Sequence, residues 1–79
     1  MNFDELKQNI PGAIESEWHQ HENGGGWVYK TAIVEKSVYL HPNSIVYGDA
    51  RVSGDAQVSG NAQVSGDAWV SGDVVKEVA

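Results

Sequence analysis

The 79-residue chain has no cysteine, so it can form neither a disulfide framework nor a thiolate metal site. Basic residues are scarce: five Lys and Arg stand against eleven Asp and Glu, a formal charge of −6. Binding nucleic acid directly requires clustered Lys and Arg to displace counterions from phosphates, and this balance argues against it. The opening MNFDELKQNI carries two acids and no continuous apolar run. It therefore lacks the pattern of a secretory signal or a membrane span, and the expectation is a cytoplasmic protein that does not enter the membrane.

What the chain does have is a six-residue repeat. From Val46 to Asp73, VYGDAR, VSGDAQ, VSGNAQ, VSGDAW and VSGD follow one another without an insertion, and the register extends back to Val28. The first position is Val28, Val34, Leu40, Val46, Val52, Val58, Val64 and Val70, every one a branched aliphatic. The fifth position is Ala32, Val38, Ser44, Ala50, Ala56, Ala62, Ala68 and Val74, mostly small. These two positions are separated by one residue, the spacing of a strand that faces inward at both ends. Five hexads place Gly-Asp or Gly-Asn between strands, at Gly48-Asp49, Gly54-Asp55, Gly60-Asn61, Gly66-Asp67 and Gly72-Asp73. Glycine reaches positive φ freely and Asn and Asp tolerate it, so these pairs read as corners. Short strand, corner and short strand build a three-sided solenoid of about 18 residues per turn.

The pattern resembles the hexapeptide repeat of left-handed parallel β-helices, with an aliphatic at position one and a small residue at position five over eight hexads from Val28 to Val75. The left hand is implied by that resemblance, since it departs from the usual right-handed crossover. The expected fold is thus an all-β solenoid of about 2.7 coils, with residues 28–79 as the β-helix and residues 1–27 as an N-terminal helix and capping arm. In that arm, Phe3, Leu6 and Ile10 have helical spacing over residues 2–10, with Asn2 or Asp4 as caps and Pro11-Gly12 as the stop. Residues 13–18 read as extended, with Ile14, Ser16 and Trp18 alternating against Glu15 and Glu17, and HQHENGGG reads as a loop. Phe3, Leu6, Ile10, Trp18 and Trp27 are the residues expected to cover an open end of the solenoid, which would otherwise leave strand edges free to aggregate.

So small a solenoid has a thin core, and self-association is the natural source of further burial. Reading residues about 18 apart as stacked neighbours places Tyr29 over Tyr47, with Ile33, Arg51 and Trp69 as the neighbouring column. Aromatic residues and Arg are enriched in interface hot spots. This aromatic group is therefore the expected contact surface, for a homo-oligomer or for a protein partner of unknown identity. Acidity is concentrated in the arm, where Asp4, Glu5, Glu15, Glu17 and Glu22 outweigh Lys7 and give −4 of the total.

Several activities attach to the resemblance. Hexapeptide-repeat proteins include CoA-dependent acyltransferases with a histidine base near a subunit interface, and His41 is the histidine within the repeat. Those enzymes usually add coils, a looped excursion and a helical domain, whereas this repeat has no insertion. His19-x-His21-Glu22 has metal-ligand chemistry but lacks a nearby third histidine, and the ligands of the similar γ-type carbonic anhydrases lie in the solenoid rather than before it. Ice binding uses ranks of Thr, and Thr31 is the lone threonine. Over residues 18–73 the chain also looks like short hexapeptide-repeat proteins of bacterial and phage genomes. The resulting expectation is a non-catalytic binding or assembly module without a cofactor, acting through protein contacts, such as an acidic phage-type inhibitor of a host protein.

Overall fold

The computed structural model describes residues 1–60, 62–71 and 74–76, with only the backbone in the last stretch. Helix α1 (Phe3–Asn9) is started by a capping box: Glu5 N–H donates to Asn2 Oδ1 at 2.9 Å and Asn2 N–H donates back to Glu5 Oε1 at 3.1 Å. A 3₁₀ turn at Glu15–Glu17 then leads into β1 (Trp18–Gln20). The extended reading of residues 13–18 thus fails before Trp18. Glu17 N–H bonds back to the Ile14 carbonyl, and Ile14 points outward, 56% exposed, instead of alternating with Trp18.

The repeat follows as β2 (Trp27–Tyr29), β3 (Ile33–Val34), β4 (Tyr39–Leu40), β5 (Ile45–Val46), β6 (Arg51–Ser53), β7 (Gln57–Ser59), β8 (Gln63–Val64), β9 (Trp69–Ser71) and β10 (Val74–Lys76). Every third strand pairs in parallel, giving three sheets ordered β1-β2-β5-β8, β3-β6-β9 and β10-β7-β4. Partners such as Val28 and Val46, Val34 and Val52, and Leu40 and Val58 are all 18 residues apart. Among the described strands only β1, beside β2, runs antiparallel. The boundary expected after Trp27 falls inside β2, because Trp27 already pairs with Ile45.

The sheets enclose one apolar column. Val28, Leu40, Val46, Val52, Val58 and Val64 are at most 1% exposed, and Val38, Ala50, Ala56 and Ala62 fill the fifth positions. The polar exception, Ser44, is fully buried and its hydroxyl donates to the His41 carbonyl at 2.7 Å, which meets the requirement that a buried polar group be bonded. Corner glycines Gly48, Gly54, Gly60 and Gly66 have φ between 66° and 70°. At Gly48 a Cβ would also lie 2.8 Å from the Gly66 nitrogen stacked against it, so the tight corner requires glycine twice over. The corners Lys30-Thr31 and Lys36-Ser37 lack glycine and are tied down differently. Thr31 and Ser37 hydroxyls donate to the carbonyls of Gly48 and Gly54 in the following coil.

A second apolar cluster forms outside the first. Leu6, Trp18, Trp27 and Ile45 are buried together, with Met1, Phe3, Ile10, Ala13, Tyr29 and Tyr47 packed around them. The arm therefore lies on the outer surface of the β2–β5 face, a side of the solenoid. Phe3, Leu6, Ile10, Trp18 and Trp27, expected over an open end, all belong to this lateral cluster. The reason lies in the strand pleat: Trp27 and Ile45 flank the inward Val28 and Val46, so they point outward and present an apolar wall for the helix to cover.

The first coil is covered by other residues. β1 pairs with the edge of β2, and across the β4 edge Leu40 N–H donates to the Asn23 carbonyl at 2.9 Å while Gly26 N–H donates to the Leu40 carbonyl at 3.1 Å. Gly24, at φ 108°, is required by this crossing, since a Cβ there would overlap the Leu40 carbonyl oxygen. His21, 6% exposed, donates from Nε2 to the Val38 carbonyl at 2.7 Å and closes the interior beneath the crossing. Among the described residues, β3 and β9 are left as the edge strands of their sheet.

Candidate functional site

The β3–β6–β9 face carries two outward columns. Ile33, Arg51 and Trp69 precede the inward valines and are in register through the parallel pairing. Ser53 and Ser71 follow those valines, paired with each other, and Glu35 takes the same place after β3. Two of the four exposed large apolar side chains among the described residues lie here, Trp69 at 76% and Ile33 at 53%, the others being Ile14 and Tyr39. Between the columns runs a groove of about 440 Å³.

Two polar contacts involve side chains of this face. Arg51 lies with Cζ 5.4 Å from the Trp69 ring centroid, within cation–π range of the indole. Glu35 is anchored, its Oε1 accepting from Gly54 N–H at 2.8 Å. The face thus offers an aliphatic, a held carboxylate, and a Trp with an Arg beside it, Trp and Arg being residue types enriched in interface hot spots.

Tyr29 and Tyr47, expected to join Ile33, Arg51 and Trp69, lie on a different face. They belong to the β2–β5 side and are half-buried by the arm, with Trp18 ring centroids 5.0 Å from Tyr29 and 6.4 Å from Tyr47. The signal was present in the sequence: the Gly48-Asp49 corner intervenes between Tyr47 and Arg51, so residues on either side of it face different directions.

The histidines are dispersed. His41 is partly buried at a corner, its Nδ1 accepting from Asn43 N–H at 3.3 Å and its carbonyl accepting twice from Ser44. His19 is exposed on β1, whereas His21 is buried with Nε2 committed to a carbonyl, so the two do not converge on one ion. Among the described residues no group of three or more His, Cys, Asp or Glu could hold a metal. The role of His21 as an internal closure was missed in the sequence reading. Its clue is Gly26, a small residue at the fifth position of a hexad preceding Val28, which carries the inward register one step further back.

Three stretches, residues 46–60, 56–72 and 62–76, are similar to the YdcK Beta solenoid repeat. The chain is a β-solenoid repeat protein. Within this solenoid the matched stretches begin at Val46, where the corners become Gly-Asp, and leave out the first coil with its Lys-Thr, Lys-Ser and Pro-Asn corners. The arm and the outward columns of the first coil are thus features of this solenoid outside the matched repeat. No curated protein and no solved structure matches the chain. Among the described residues, no helix is long and apolar enough to cross a membrane.

Proposed function

We propose that this solenoid is a non-catalytic assembly module of the cytoplasm, associating with copies of itself through the β3–β6–β9 face, and that its repeats wind left-handed through about 2.7 coils. The hand follows from the resemblance to hexapeptide-repeat proteins. The observation that carries the functional reading is the contrast between faces: one large apolar wall is already covered by the chain's own arm, while Ile33, Arg51 and Trp69 remain exposed in one column. An exposed Trp with an Arg in cation–π range and an aliphatic in the same column is the composition of an interface centre rather than of a solvated face.

Sedimentation equilibrium tests this. The native chain sediments above its 8.5 kDa formula mass, and Trp69→Ser, which removes an exposed side chain and leaves the enclosed column intact, shifts it to the monomer. A Trp69→Ser protein that folds and keeps the native mass would refute the proposed contact. So would a native chain that is monomeric at high micromolar concentration.

A further inference from the structure

We infer a second binding site, for the alkylammonium head of a lysine side chain presented by another protein, in the cleft between the arm and the β2–β5 face. The cleft has a volume of about 260 Å³; Trp18, Tyr29, Tyr47 and Glu17 line it together with Gly48 and the arm's residues 10–13. The rings do not stack flat. Trp18 meets Tyr29 edge-on at 60° and Tyr47 at a tilt of 52°, and all three rings border the cleft. Aromatic rings present a negative π face to a cation, and several set around one space, with a carboxylate nearby, form a receptor for an ammonium group.

The chain already uses part of this receptor itself. Lys30 places Nζ 2.8 Å from Glu17 Oε2 and 6.0 Å from the Tyr29 ring centroid. An ammonium is thus held at the rim by the carboxylate and the ring that the proposal assigns to an incoming one. Lys30 is 57% exposed on its side chain and can swing away at little cost. The surroundings favour a cation too, because the arm carries −4 of the chain's −6. The volume sits just below the range of about 300–1,000 Å³ for whole small-molecule sites, which suits one head group on a flexible stem. This site is separate from the β3–β6–β9 face and stands or falls independently of it.

Lys30 becomes a competitor under this proposal, and that gives a sharp test. The full chain is titrated with N-acetyl-trimethyllysine methylamide, followed by indole fluorescence and by the amide shifts of Tyr29, Tyr47 and Gly48. Saturable binding is expected, weaker by about three-fold or more for Glu17→Gln and Tyr47→Leu, and tighter by roughly three-fold for Lys30→Ala, where the internal ammonium is gone. An uncharged probe ending in a tert-butyl group buries the same surface and binds several-fold more weakly. Glu17→Gln and Tyr47→Leu could act by loosening the arm, but Lys30→Ala removes an exposed side chain and predicts a gain, which a loosened arm would not produce. Absence of saturable shifts at these amides, equal binding of the tert-butyl probe, or unchanged or weaker binding by Lys30→Ala would each overturn the assignment.

Discussion

Replacing Leu6 by Ala tests whether the arm is held to the solenoid by its own apolar wall. Helix α1 has seven residues, well short of the 12–15 or so an isolated helix needs to be even marginal in water. Its capping box contributes about 1 kcal/mol, so packing must hold it. Leu6 is completely buried, against Trp18, Trp27 and Ile45. Truncating such a leucine costs about 2–5 kcal/mol, and nearly all of that falls on a contact the enclosed valine column does not share. The helix should therefore come off its face before the parallel ladder opens. Hydrogen exchange reads this directly. The amides of Leu6 and Ile10, bonded to the Asn2 and Leu6 carbonyls, should exchange at least about 30-fold faster in Leu6→Ala, since each 1.4 kcal/mol is worth tenfold. Those of Tyr47 and Arg51, bonded to the Val64 and Ala68 carbonyls, should change far less. Equal acceleration of all four would show one cooperative unit and refute the separation of arm from repeat. No acceleration in α1 would refute the claim that Leu6 anchors it.

His21→Ala should destabilise the fold by roughly 1–3 kcal/mol, the cost of leaving the Val38 carbonyl without its buried donor; an unchanged denaturant midpoint would show that the closure is dispensable. The Glu17–Lys30 pair makes an alkaline prediction. The hydrogen bond that Lys30 donates to the Glu17 carboxylate, then the charge of Glu17, then that of Tyr29, raise the Lys30 ammonium above its ordinary value of 10.5. A group whose value is raised by folding adds stability in full below its unfolded value and loses it as pH climbs through the folded one. Glu17→Gln should therefore lower the urea midpoint slightly at neutral pH and leave it equal to the native one above the lysine transition, and a difference that widened at alkaline pH would contradict the pairing.

Residue by residue, legibility followed the range of the physics. The inward columns were readable because period-two alternation and glycine corners are decided by neighbours in the chain: Val52 turns inward because Arg51 and Ser53 turn outward, and Gly54 turns the corner whatever lies elsewhere. The cap is local in the same way: of Asn2 and Asp4, the two residues offered for it, the structure uses Asn2 and adds Glu5 as its reciprocal partner. The 3₁₀ turn at Glu15–Glu17 was not readable, since ESE has no strong preference and only the docking of Trp18 beside Tyr29 determines where the strand begins.

The repeat by itself therefore determined a three-sheet parallel solenoid with a valine interior, because the strand, the corner and the inward register are set within each hexad and the recurrence of the hexad brings like positions 18 residues apart into register. Only the tertiary structure decided what the outside of that solenoid does. Trp27, Tyr29, Ile45 and Tyr47 became the bed for the arm, and Ile33, Arg51 and Trp69 the open face, through contacts between residues far apart in the chain. Outward positions obey no period that distinguishes a covered wall from a bare one, and that distinction arises only when the N-terminal helix settles on one of three sides.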